Sequence, residues 1–326
     1  MNNVVTIARK EFRDIQRSRL LLIIILFLAV VTVTSILVSS LVFQSQVSQY
    51  NESLSLLKEL GKEPVGPAPE LFPLNLLRGV IDYIEIIGAV LGMLLGYLTI
   101  SREKNTRTLK LILTRPVSRM KIVAGKFLGN GIFIALTLLS VGVFSYLGLL
   151  VVGGVALSPV ESLKLGVVLL ISFAYIMTFF SLTFFLSLSM KTISHALMIS
   201  FVIWLLVVLI LPQIGDTMDP DNQVPGGFFS SMHLTKTQEK QVMTNFNNYE
   251  MIRNSIEQLS ITKHYERASF AILGIKKEFN AIPLADILSS QWVNLLSVFG
   301  LFAVGVYACG VLMSRRRKGY AFDLGT

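Results

Sequence analysis

At 326 residues, 53% of them hydrophobic and only 15% charged, with a mean hydropathy of +0.66, the chain carries too much apolar surface for a soluble domain of its size. A net charge of +9 would suggest nucleic acid in a soluble protein, but here the cations cluster beside apolar runs, as membrane orientation requires, so nucleic acid is not an expected partner. The single cysteine, Cys309, lies in the last apolar run; it rules out an intramolecular disulfide and any cysteine-rich metal site, and reads as a small core residue.

Residues 1–19 place Val4, Ile7, Ala8, Phe12 and Ile15 on one helical face and Arg9, Lys10, Arg13 and Arg17 on the other, the pattern of a helix lying on the cytoplasmic leaflet. The apolar run 20–43 is too long for a signal-peptide core and closes on no small-residue cleavage pattern, so it reads as a first membrane span. A polar stretch, 44–79, follows outside the cytoplasm. In it Leu54, Leu57 and Leu60 are spaced as a short helix stopped by Gly61, and four prolines between 64 and 73 require extended chain.

The second span, 80–100, holds Asp82 and Glu85 near its outer end. An acid at the bilayer centre costs roughly 2.5–3.5 kcal/mol. The two acids therefore belong at the outer interface or on a wet cavity, either as part of a substrate pathway or as acids favoured at a helix start. Further along, Gly88, Gly92 and Gly96 recur every fourth residue, a ridge that lets another helix approach closely, at the centre of the bundle or across a subunit interface.

Residues 101–127, SREKNTRTLKLILTRPVSRMKIVAGKF, carry eight of the 29 basic residues against one acid, Glu103, and must lie in water on the positive-inside face. Leu109, Ile112 and Leu113 share one helical side, with Arg107, Lys110 and Arg115 elsewhere. That spacing predicts a short amphipathic helix along the membrane, stopped by Pro116. The third span covers about 127–152 and the fourth 165–188; a short cytoplasmic turn, 190–194, contains Lys191 and precedes His195, and the fifth span, about 196–211, is closed by Pro212.

The long hydrophilic stretch 213–290 opens on a turn-rich linker whose Asp216, Asp219 and Asp221 lack the EF-hand spacing. Val242, Phe246, Tyr249, Ile252, Ile256 and Leu259 then recur as one helical stripe, and Tyr265, Ala268, Ile272 and Ile275 mark a second helix over about 264–275. Together they predict an extracytoplasmic helical cap folded back on the bundle or on its twin. His233 and His264 are isolated and the methionines scattered, so no metal site is expected. The last span, 292–313, stops at Arg315, Arg316, Arg317 and Lys318. The short inner segments hold five, eight, one and four basic residues, against none before Lys164 in the short outer loop, which puts both termini in the cytoplasm.

The expected fold class is therefore all-α, a polytopic membrane protein in four parts: an interfacial helix (1–19), spans one to five with a coupling loop at 101–126 (20–212), the cap (213–290), and a sixth span with a basic tail (291–326). There is no HExxH, no GxSxG, no serine and lysine pair at protease spacing and no GxxxxGK[ST], so the chain lacks the parts of an enzyme, and any use of ATP requires a second polypeptide.

The leader IARKEFRD, six spans, and after the second span Glu103, Thr108, Leu109, Leu111, Leu113, Thr114, Arg115, Pro116, Val117, Ser118 and Arg119, then Gly125 and Lys126, together resemble the membrane subunits of ATP-binding-cassette (ABC) exporters of the second type. Arg107 stands where many members of that family have glycine. The resemblance implies a permease subunit in the cell membrane of a prokaryote, paired with a second copy as a homodimer. Two separate ABC ATPase subunits, carrying the ATP and magnesium, would dock on Glu103, Thr108, Leu109, Ile112, Leu113, Arg115, Pro116 and Arg119, aided by Lys191, with no cofactor on this chain. The alternative is an ABC-type transducer that acts mechanically on an extracytoplasmic partner without moving cargo. An ion-driven secondary transporter is disfavoured because charged residues are missing from the inner halves of the spans.

Overall fold

The computed structural model describes residues 3–17, 19–59, 72–105, 118–219, 232, 238, 241–242, 244, 247–275, 277–280 and 282–315. Every regular element among them is helical, and six segments are long and apolar enough to cross a membrane: Leu22–Glu59, Pro73–Lys104, Arg119–Val151, Pro159–Ser189, Ile193–Thr217 and Trp292–Ser314. The predicted helix at 108–113 lies outside the described residues, as does most of the linker after Asp219.

The amphipathic leader forms α1, Asn3–Arg17, and the first span forms α2, Leu20–Glu59. α2 runs past the expected end at Phe43 because nothing between Gln44 and Glu59 breaks a helix: the segment has no glycine or proline, and Ser53 and Ser55 return their hydroxyls to the backbone at Gln49 and Glu52. The second span is composite. A 3-10 turn, Pro73–Leu77, leads into α3, Arg78–Tyr83; a π turn, Ile84–Gly88, follows; and α4, Ala89–Asn105, completes it.

The third span, α5, is Arg119–Val151. The fourth, α6, is Pro159–Ser189, opened by a capping box in which the Glu161 amide donates to Ser158 Oγ and the Ser158 amide donates to Glu161. The fifth begins as α7, Ile193–Trp204, passes through a second π turn, Leu205–Ile210, and continues as α8, Leu211–Thr217. Pro212, expected to close this span, instead lies in the first turn of α8, where a missing amide hydrogen is tolerated because the π turn has already broken the regular ladder. Beyond it come α9, Asn247–Gln258; α10, Ile261–Leu273, ended by Gly274 at φ +69°; α11, Leu284–Ser290; and the sixth span α12, Trp292–Arg315.

α6 is the central post. It packs on α4, α5, α7, α10 and α12, and its Tyr175, Phe180 and Phe184 are fully buried. Gly88, Gly92 and Gly96 face this helix: a Cβ on Gly92 would collide with the Ile176 carbonyl oxygen, and one on Gly96 would stand 2.6 Å from that of Phe180. Phe127 of α5 closes the lower core with its ring edge-on to Phe180 at 5.0 Å and to Phe184 at 5.5 Å. α12 meets α6 where Gly305 faces Ser181 and the thiol of buried Cys309 donates to the Ser181 carbonyl. The outer rank is α2, α7 and α12, which turn Leu26, Val30, Met198, Val202, Leu296 and Val304 outward, a surface suited to hydrocarbon.

α10 is not striped. Besides Tyr265, Ala268 and Ile272, it buries Thr262, Lys263, His264, Ser269, Phe270 and Leu273, because it is enclosed by α6, α12, α3 and both π turns.

Candidate functional site

The chain's cationic loop is fixed at both ends, and each anchor is built from charge. α4 ends with Glu103 and Lys104 turned inward; α5 begins with Arg119 and, two turns on, Lys126. Lys126 is 1% exposed, and its ammonium donates to Glu11 of α1 at 2.9 Å and to Glu103 of α4 at 2.6 Å. Lys10 closes a second bridge to the same Glu103 oxygen at 3.4 Å. Two lysines therefore balance two carboxylates that are themselves buried, which is the condition under which ions leave water without a large net loss. Partial burial draws the Lys10 ammonium down, but the carboxylates of Glu11, Glu103 and Asp14 outweigh it and hold the group above its ordinary value.

Close helix approach makes the bridge reachable. Gly125 and Gly129 sit under α1, where a Cβ would stand 2.7 Å from Ile7 Cβ in the first case and 2.7 Å from the Ala8 carbonyl oxygen in the second. Asn130 continues the polar core inward, donating to the Lys126 carbonyl at 2.9 Å and accepting from Thr99 at 3.3 Å. Two further cations cap helix ends. Lys104 donates to the carbonyls of Ser187 and Met190 at the end of α6, and Arg119 donates to the Met313 carbonyl near the end of α12. The loop's two stems thus hold α1, α4, α5, α6 and α12 at one end of the bundle.

Of the residues predicted to dock a partner, Thr108, Leu109, Ile112, Leu113, Arg115 and Pro116 lie outside the described residues. Glu103 is buried in the ion cluster rather than presented to a partner, and Arg119 caps α12. Lys191 is exposed in the turn between α6 and α7, where with Met190, Thr192, His195, Met198 and Ile199 it lines an open groove of about 550 Å³. Lys104 steadies that turn through Met190, so the groove is mechanically tied to the loop stem. The sequence reading missed Glu11 and Lys10 as partners. The available signal was Glu11 itself, an acid three residues from Ala8 and four from Ile15 in an otherwise apolar stripe.

At the other end of the bundle, Asp82 and Glu85 lie close to Lys263 and Glu266 of α10, with Arg78 beside Asp82. Lys263 pairs with Asp216 at 2.9 Å and with Glu266 at 3.0 Å. Among the described residues no group of three His, Cys, Asp or Glu is arranged to hold a metal. His264 is committed to Asn294 and to the Gln258 carbonyl.

A search of curated proteins returns no match. The family described as "ABC-2 family transporter protein" matches residues 5–317, nearly the whole chain and all six spans.

Proposed function

The chain belongs to the ABC-2 family of transporter proteins and is a multi-pass membrane permease of an ABC transporter; on that premise we propose that it is the coupling half of an ATP-driven exporter. Two copies form a homodimer in a prokaryotic cell membrane, and two separate ATPase subunits carrying ATP and magnesium dock on the loop 106–117. The end of the bundle that holds α1 and the loop stems is cytoplasmic.

The observation that carries this reading is the double anchorage of the loop. A sequence segment that merely set orientation would need positive charge, but not two stems locked by buried ions and capped helix ends to five helices. A lever needs such a base. ATP-driven closure of the ATPases would push the loop, and the stems would carry that push into α4 and α5 as rigid bodies, with α1 and α6 following. Glu103 and Arg119 then serve as stem residues that hold the lever, while Leu109, Ile112 and Leu113 form the gripped face and Lys191 the second contact.

Replacement of Leu109, Ile112 or Leu113 by aspartate is expected to abolish co-purification of the ATPase while the permease still inserts into the membrane. Undiminished co-purification from all three variants would refute docking at this loop.

A further inference from the structure

α9 is seated with its charged side inward. Glu257 is 3% exposed and packs on Gly215 of α8, where a Cβ would stand 2.6 Å from Glu257 Cγ. Arg253 pairs with Asp219 at 2.9 Å, with Glu250 at 3.0 Å and with Glu257 at 3.2 Å, and Arg267 of α10 also pairs with Glu257. The apolar side faces away from the bundle. Ile252 is 56% exposed, Leu259, just past the helix end, is 73% exposed, and Tyr249 is exposed with them. At about 100° per residue, Tyr249, Ile252, Ile256 and Leu259 share an arc of about 80°, separate from the side that carries Glu250, Arg253 and Glu257.

Apolar surface left in water forfeits roughly 25 cal/mol per Å² of burial, and the neighbouring span identifies what covers this arc. Tyr249 lines an open groove of about 540 Å³ together with Leu209, Ile210, Ile214 and Met218 at the end of the fifth span. Ile210 and Ile214 are exposed and continue the outward face of Met198, Val202 and Leu206, which is suited to hydrocarbon. The depth agrees. Ile193–Thr217 has 25 residues, about 37 Å of helix, against a hydrocarbon layer of about 30 Å. With Lys191 in water at one end, the layer ends about 20 residues further on, near Pro212 and Ile214, the level at which Tyr249 meets the span. Tyrosine is favoured at that boundary. Asn248 and Ser255, which border the arc and are exposed, are uncharged hydrogen-bonding groups suited to the headgroup layer.

We propose that α9 is a membrane-surface helix that grips the protein by its charged side and seats Tyr249, Ile252, Ile256 and Leu259 in the lipid leaflet around the end of the fifth span, where a phospholipid acyl chain fills the groove between α8 and α9. A lone interfacial helix turns its charges to water. Here the protein supplies the counterions instead: Asp219 and Arg267 complete the pairs of Arg253 and Glu257, and this cluster fixes which side of α9 meets α8 and which is left for lipid. The seat is independent of how an ATPase docks. Only the identity of the leaflet, the extracytoplasmic one, rests on the proposed function.

The test uses the full chain with Cys309→Ser in phosphatidylcholine nanodiscs, with a bimane fluorophore on Ile252→Cys or, as the control away from the arc, on Gln258→Cys. Two quenchers are compared: phosphatidylcholine with a nitroxide on its acyl chain, and aqueous iodide. The nitroxide lipid is expected to quench the reporter at 252 roughly twofold or more above the one at 258, with the order reversed for iodide, as seating of an interfacial helix about 5–10 Å deep implies. A reporter at 252 quenched mainly by iodide lies in water and overturns the seat. Shielding from both quenchers, or oxidation of the Ile252→Cys chain to a disulfide-linked dimer, gives the arc to protein and overturns it as well. Leu259→Cys replaces the reporter if Ile252→Cys does not insert.

Discussion

Lys126 lies where an apolar side chain would pack with less risk, between Glu11 and Glu103 and out of water. Removing one member of such a cluster strands the others. Lys126→Met is expected to destabilise the protein by about 3–5 kcal/mol, measured as thermal unfolding in detergent. The triple variant Lys126→Met, Glu11→Gln, Glu103→Gln should recover most of that loss, because no buried charge then lacks a counterpart. A single variant as stable as the parent would show the bridge to be incidental. Lys10 adds a pH signature. Its value is raised in the folded protein, so its contribution is full below the ordinary lysine value of 10.5 and lost as pH climbs through the folded value. Docking of α1, followed by cross-linking between α1 and α5, should stay level from pH 7 to 9 and weaken only under strongly alkaline conditions. At this scale the sequence showed which residues were charged but not which faced inward. Lys126 sits at the start of an apolar run and Glu11 inside an apolar stripe, and both look like boundary residues until α1 is laid across Gly125 and Gly129.

Helices were legible by hydropathy, and their ends followed from the chemistry of single residues. The glycine ridge on α4 is spaced for close packing in the sequence, and only the fold selects α6 as the helix it meets. Gly92→Ala inserts a Cβ against the Ile176 carbonyl; the helices must separate, at a cost of about 1–3 kcal/mol in unfolding experiments. The same change at Gly166, which has open space around it, should be nearly silent. Two boundaries were not legible. A helix continues from Leu20 to Glu59 because polar residues do not end helices unless they compete for the backbone, and Pro212 sits inside a span because a π turn precedes it. Nothing in the periodicity announces a π turn, since one extra residue is lost within a continuous apolar run.

Across the whole molecule, charge is separated by depth. One end gathers α1, the loop stems and the capped ends of α6 and α12; the other gathers α8, α9 and α10 around Arg253, Glu257, Arg267 and the Lys263 pair. Six spans and their order could be read from hydropathy and the distribution of lysine and arginine. The place of α10 could not, because a helix with lysine, histidine and arginine reads as a surface element until Asp216, Asn294 and Glu257 are found beside those groups. The central claim is that an ATPase grips the loop between Asn105 and Ser118 at a face held rigid by its stems. It is tested most directly by a photo-activated cross-linker at position 112, irradiated in native membranes. An adduct with a nucleotide-binding ATPase, lost when Lys126→Met loosens the stems and regained in the charge-balanced triple variant, is the predicted result. An adduct that forms only with lipid, or a position 112 that an impermeant reagent reaches from outside intact cells, would contradict it.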